Sequence, residues 1–429
     1  MKQADKFIGG GALLTIGLLA SCSGLGGTVA ERPEIVWKPS QVVVQGTKDY
    51  SPPSVTVDRS GRVILAWIEK EKLSERGAVR LLSLTAAGRA ESGPATVNPA
   101  DKGPDATHLS PGLSAGSDGQ IYLTWSVPKF DANNALRSDL VLARSLDGGR
   151  SFEAPRVIND DDTPSSHGFE GISAAPDGAI NVSWLDGREK QKSGAGTYFA
   201  RSTDQGDTFT PNVKVDGGSC PCCRPSTVTT ADGTIVVSWR KVFEGNVRDI
   251  VIARSTDGGR SFSSPERVRK DDWAFPACPH RGPSLAADAQ GRVYLTWYTE
   301  GADEQPRIYF VTSDDAGRTF SSPLSLHTAT PSLPDQPKMA IFPNGVVLVV
   351  WEEVTGVHKR VVMRFSTDRG ATFSAAQILS DGPQGSNPAV AIHPSGLFAI
   401  VWNERAFPNN QIVVQTGTFH WPSRERGMR

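Results

Sequence analysis

The chain has 429 residues, and its 45 Lys and Arg nearly balance 46 Asp and Glu, for a formal net charge of −1. That balance offers no basic face for nucleic acid, and no window after residue 30 is long and apolar enough to span a membrane. Abundant glycine (43) and proline (30) fit a chain with many turns, and the length suits one large all-β domain.

At the N-terminus, Lys2 and Lys6 precede an apolar, Gly-rich stretch from Ile8 to Ala20. This is the pattern of a signal-peptide core. It ends in Leu19-Ala20-Ser21-Cys22, which resembles a bacterial lipobox. The resemblance implies that residues 1–21 are removed and that Cys22 is lipidated, leaving an exported protein anchored to the cell envelope rather than spanning its membrane. Ser23 points to the outer membrane in a Gram-negative source. The alternative is an ordinary secretory signal with a chance Cys. Residues 22–38, rich in Ser, Gly, Thr and Pro, read as a tether.

A repeat begins after the tether. Gly, an alternating apolar run, then Trp recurs at Trp67, Trp125, Trp184, Trp239, Trp297, Trp351 and Trp402. Each run, such as Gly291-Arg-Val-Tyr-Leu-Thr-Trp297, alternates as a half-buried strand requires. A short run upstream, such as Pro283 to Asp288, reads as an inner strand, and one downstream, such as Ile250 to Arg254, as a third. The phrase Ser-x-Asp-x-Gly-x-x-Phe follows the third strand at Ser145, Ser202, Ser255, Ser313 and Ser366, at steps of 57, 53, 58 and 53 residues. It reads as a tight turn into a fourth strand such as Pro265 to Val268. Its Asp accepts from backbone N–H groups, its Gly permits positive φ, and its Phe packs between sheets.

The phrase is the Asp-box, and the chain resembles the sialidase-like (BNR-repeat) β-propellers over nearly its whole mature length. A fixed period of this size marks one supersecondary unit used repeatedly. The expected fold is all-β, a propeller of four-stranded antiparallel blades spanning residues 39–420, with 421–429 as a tail. Seven Trp units favour seven blades, although the sialidase enzymes have six, and one misread terminal unit would restore six. The first unit has a decayed box at Ser83 to Gly88, and the seventh runs out after Gln411 to Gln415. Gln41 to Gln45 is free to supply the missing strand and close the ring. The resemblance puts the boxes on the face opposite the active site, so their Asp residues are structural.

Excluding Cys22, four cysteines remain: Cys220, Cys222, Cys223 and Cys278. Export means an oxidising compartment, where pairs of cysteines staple a fold. Aligning the inner strands on a shared proline places His108, His167, Cys222 and His280 three residues before Pro111, Glu170, Pro225 and Pro283. With Tyr50, Pro334 and Gly385 in the other three units, the His and Cys residues form one arc of the channel mouth. Imidazole and thiolate suit copper or zinc, with Cys223 a further ligand. Cys220 and Cys278 each lie two residues before an arc member and are positioned to pair as a disulfide across adjacent blades. The alternative is that the cysteines are staples only and the His residues line a polar cleft.

The resemblance also implies a sialidase pattern: three arginines on a substrate carboxylate, a Glu-activated Tyr nucleophile and an Asp acid/base. The chain departs from it. The usual Phe/Tyr-Arg-Ile-Pro motif is absent, and the first inner strand, Ser51 to Val55, contains no Arg. Other arginines on the channel-mouth face, Arg188, Arg224, Arg248 and Arg281, suit an anionic ligand because the guanidinium fork grips carboxylates. Glu170, which stands where most units have Pro, is the first choice for an acid/base. Asp186, Tyr50 and Tyr298 complete the candidates. The leading reading is an envelope lipoprotein that binds a glycan or other small anionic ligand over the channel, around a Cys/His-bound metal if one is held. The others are a divergent exo-sialidase or other glycoside hydrolase, and a structural propeller with an envelope protein partner. Fold alone does not choose among them.

Overall fold

The computed structural model describes residues 33–98, 105–107, 109–327 except 131–135, and 331–421. Cys22, His108 and the signal, lipobox and C-terminal tail expectations lie outside them. Among the described residues no helix is long and apolar enough to cross a membrane.

Seven antiparallel sheets form a seven-bladed propeller, as the Trp units predict. Blade four is representative, with an inner strand Ser226–Thr229, then Ile235–Val242, Arg248–Ser255 and an outer Glu266–Arg267. Blade seven is completed from the other end of the chain. Its strand Asn409–His420 pairs with Gln41–Gly46, in the register Val44 opposite Ile412. Glu34–Trp37 pairs with the same strand, with Ile35 opposite Phe419. The expected tether is therefore shorter than residues 22–38, because its last residues are part of the sheet. Joining the first and last strands leaves the ring with no open blade.

The seven repeat Trp side chains are each at most 1 % exposed and sit on second strands between neighbouring blades. Trp125, for example, packs with Ile64, Ile68 and Leu81 of blade one. Burying so large an indole at every blade interface is what the repeated Trp supplies.

In all five Asp-boxes the Ser hydroxyl accepts from the box Gly N–H and the Asp carboxylate accepts from the N–H four residues on. In the second blade the Asp147 carboxylate accepts from Arg150 N–H (3.0 Å) and Ser151 N–H (3.0 Å), while the Ser145 hydroxyl accepts from Gly149 N–H (2.7 Å). Gly149 has φ +87°, as the turn requires. The box Phe residues pack into the inter-blade clusters, Phe152 against blades one and two and Phe373 against blades five and six. Each box joins the third strand to the fourth. Because the strands alternate in direction, all five lie on the face opposite the start of the inner strands.

Candidate functional site

The inner strands enclose a cavity of about 630 Å³ on the propeller axis, lined by all seven blades. The aligned proline positions ring it, with Pro53, Pro111, Pro225, Pro283 and Pro388 in the wall and Glu170 in the place of the sixth. Blades pack too closely for side chains at several points. A Cβ on Gly282 would lie 2.1 Å from the Arg224 carbonyl, so only glycine fits.

Three inner strands carry a β-bulge, between Gly168 and Gly171, Asp335 and Lys338, and Ser386 and Ala389. Each bulge holds one non-glycine residue at positive φ: Phe169 (53°), Gln336 (51°) and Asn387 (52°). All three line the cavity. Bulges re-aim side chains next to binding sites, and such conformations persist where the surrounding fold over-determines them.

Among the described residues Glu170 is the only carboxylate in the cavity wall. It is about 1 % exposed. One oxygen accepts from Gly112 N–H and Thr124 O–H, each at 3.3 Å, and Oε2 has no hydrogen-bond partner. Burial pushes its pKa up, against the pull of the Arg224 charge. Arg224 spans three blades, donating to the carbonyl of Glu170 and to the Ser110 carbonyl (2.5 Å). Among the described residues it has no carboxylate ion-pair partner. Lys338 also lines the cavity without an ion-pair partner among the described residues. Burial, with the Arg224 charge, lowers its ammonium pKa to about 8. Gln336 donates to the His280 carbonyl at 3.1 Å. The Phe169 and His280 rings, 6.0 Å apart, add an apolar edge. The wall thus combines two cations, one carboxyl whose pKa burial raises, amides and an aromatic pair.

The expected His/Cys arc does not converge. Cys222 and His280 line the cavity, with His280 exposed at positive φ. His167 is wholly buried between blades two and three. Its Nδ1 meets the Ser138 carbonyl at 2.7 Å and its Nε2 the Asp161 carboxylate at 2.9 Å. A register bulge two residues on sets Glu170, rather than His167, toward the axis. Asp186 belongs to the same buried group, accepting from Trp184 Nε1 (2.9 Å) and pairing with Arg188 (2.9 Å). Arg188 also pairs with Asp160 and Asp161 and lies over the Tyr198 ring, 4.5 Å from its centroid. These three candidates, His167, Asp186 and Arg188, belong to one buried ionic network that holds blade three, and none of them lines the axial cavity.

Tyr298 and Arg281 form another closed group. The Tyr298 hydroxyl donates to Glu300 at 2.5 Å, and Arg281 stacks on its ring at 4.2 Å while pairing with Asp335 at 2.6 Å. Tyr298 is 3 % exposed, and burial together with the Glu300 carboxylate pushes its pKa up. Neither Tyr298 nor Arg281 lines the axial cavity. Tyr50 faces a side cavity with Asn403 and Glu404, away from the axis, and burial raises its pKa also.

The cysteines are arranged differently from the expected pairing. Cys220 is not joined to Cys278, which is exposed on its own loop. Instead Cys220, Cys222 and Cys223 are buried together, with Cys220 Sγ 3.1 Å from Cys223 Sγ and 3.9 Å from Cys222 Sγ. Arg248 donates to Cys220 Sγ at 3.1 Å and to the Phe275 carbonyl at 2.5 Å. It therefore faces the thiols rather than the axial cavity. Hydrogen bonds from Cys222 and Cys223, with the Arg248 charge, lower the Cys220 thiol, and the Cys222 thiol is pushed up in turn.

Two residues escaped the sequence analysis. Lys338 was legible, because one position beyond the aligned proline the other blades have Ser54, Gly112, Gly171, Ser226, Ser284 and Ala389. Six small residues and one Lys mark the odd blade. Arg240 had no such signal, since it lies directly after the repeat Trp on an ordinary second strand.

Residues 246–410 match the family described as BNR repeat-like domain. No curated protein matches the chain. Among solved structures, a protein of unknown function from Dyadobacter fermentans DSM 18053 is 14% identical with a TM-score of 0.55, over 90% of this chain and 99% of that one. An ulvan lyase bound to a -[GlcA(1-4)Rha3S]- saccharide is 12% identical with a TM-score of 0.57, over 88% and 95%. A Hadza microbial sialidase is 17% identical with a TM-score of 0.48, over 82% and 75%. The chain is a seven-bladed β-propeller in which residues 246–410 match the BNR repeat-like family, and at these identities the likeness to solved structures is one of fold.

Proposed function

We propose that the protein is an exported propeller, lipid-anchored through Cys22, that binds an acidic saccharide in the axial cavity. The observation that carries this reading is the pair of cations, Arg224 and Lys338, in a wall whose one carboxyl among the described residues, Glu170, is disfavoured as an anion by burial. An anion entering there meets two positive charges, in surroundings where such contacts are stronger than in water. Gln336 and Asn387 supply amides for hydroxyls, and the Phe169–His280 pair supplies a surface for the apolar face of a sugar ring. The ulvan lyase, which shares the fold, has an acidic saccharide as its bound ligand.

The test is calorimetric titration with glucuronate, N-acetylneuraminate and sulfated oligosaccharides against neutral sugars of the same size. Acidic sugars should bind and neutral ones should not. Lys338→Gln should weaken the acidic ligand about 10-fold or more, the loss of one charge-assisted hydrogen bond. Equal binding of neutral sugars would refute the reading.

A second reading, a glycoside hydrolase, draws on Glu170, a buried carboxyl protonated at higher pH than usual and so suited to donate a proton. Among the described residues no second carboxylate lines the cavity to complete the usual pair. Turnover of an aryl glycoside that is lost in Glu170→Gln would favour it over binding alone.

A further inference from the structure

We propose that Cys220, Cys222 and Cys223 form a three-thiolate site for Cu(I), set in blade four beside the axial cavity. The three sulfurs lie within 4.8 Å of one another, and all three residues are buried. A trigonal centre with metal–sulfur bonds of about 2.3 Å spaces its sulfurs about 4 Å apart. Cys220 and Cys222 already stand 3.9 Å apart, and Cys223 needs to move out from its present 3.1 Å. The Cys220-Pro221-Cys222-Cys223 segment brings all three ligands from one turn, so no distant loop must fold in.

The independent observation is charge. Two buried guanidiniums flank the cluster, and neither has a carboxylate partner among the described residues. Arg240 is 0 % exposed and donates only to the carbonyls of Arg281 (2.9 Å), Arg248 (2.7 Å) and Tyr298 (2.6 Å). Its own carbonyl accepts from Cys220 N–H at 2.8 Å. Arg248 donates to a carbonyl and to Cys220 Sγ. Buried charges are costly unless paired. Three thiolates holding one monovalent cation leave two negative charges, which Arg240 and Arg248 balance. A divalent ion would leave one guanidinium uncompensated. Thiolate ligands in low coordination select Cu(I), and the proton of each thiol is released to solvent on binding.

Phe169 and Val242 pack over the cluster, while Cys222 also lines the axial cavity. The cavity therefore supplies the entry path. His167 takes no part, being held in blade three.

The experiment titrates the full-length, reduced protein with Cu(I) in competition with a chromogenic Cu(I) chelator, without oxygen. One copper per chain is expected. Copper should protect Cys220, Cys222 and Cys223 from alkylation and leave Cys278 open to it, a footprint that needs no variant. Cys222→Ser should weaken binding at least about 100-fold, and Cys278→Ser should leave it unchanged. Absence of binding, tighter binding of Zn(II), equal alkylation of all four cysteines with copper present, or full binding by Cys222→Ser would each overturn the proposal. So would isolation of the exported protein with a Cys220–Cys223 disulfide. None of these outcomes depends on whether an acidic saccharide binds.

Discussion

Lys338 is an expensive residue where it stands. Its ammonium lines the cavity with no carboxylate partner among the described residues, and burial lowers its pKa from 10.5 to about 8. Below about pH 8 both folded and unfolded chains carry the proton, and the cost of burying the charge is felt in full. Between about 8 and 10.5 only the unfolded chain holds it, so this site makes stability rise with pH across that window. Lys338→Met should therefore stabilise the protein by about 3 kcal/mol at pH 7. The gain should fade by pH 10, as urea unfolding at the two pH values would show. A gain that did not fade would mean the effect is packing, not charge. Glu170 behaves in the opposite sense. Its pKa is raised by burial, so its contribution is present in acid and is lost as pH rises through the folded value. Glu170→Gln should flatten that fall, and its thermal midpoint should overtake that of the parent as pH increases. Residues retained at a cost in stability are characteristic of binding sites.

At the scale of the element, the Asp-box and the bulged inner strand have separate tasks. Asp204 is held down to about 2 by hydrogen bonds from the Thr208 hydroxyl and amide. A depressed carboxylate contributes above its unfolded pKa, and that contribution is lost as pH falls towards about 2. Asp204→Ala should cost about 1 kcal/mol in stability near neutrality and leave saccharide binding unchanged. A loss of binding would mean that the boxed face communicates with the cavity. The opposite pattern is expected at the bulges. Gln336→Gly relieves a left-handed backbone and also removes an amide from the wall, so it should weaken ligand more than it weakens the fold.

For the whole molecule, the decisive contact is the one between its ends. The strand Gln41–Gly46 pairs with Asn409–His420, some 370 residues away in sequence. A chain beginning at residue 48 would lose both strands that cover blade seven and expose a long edge. It should unfold at lower temperature and associate through that edge, which size-exclusion chromatography and a thermal melt would detect. A monomer with an unchanged midpoint would show that closure is dispensable.

The repeat carried the architecture in its own letters. Trp, Gly and the boxed Asp answer to local needs, namely strand alternation, positive φ and a turn, that recur identically in each blade. Their period therefore fixed the blade boundaries and the number seven, and the unpaired Gln41–Gln45 run pointed to its partner. The alignment it permitted also marked Glu170 as the odd residue at the axis. The same alignment could not say which way a side chain turns. Bulges at Gly168 and Asp335 change the register of single blades, which set Glu170 and Lys338 on the cavity and buried His167 between sheets. Nor could sequence spacing show that Arg188, Arg281 and Tyr298 are already satisfied by Asp186, Asp335 and Glu300, or that Cys220 lies with Cys222 and Cys223 rather than with Cys278. Periodic local forces are written along the chain. Partnership between charges and thiols depends on distances across blades, and only the closed ring sets those.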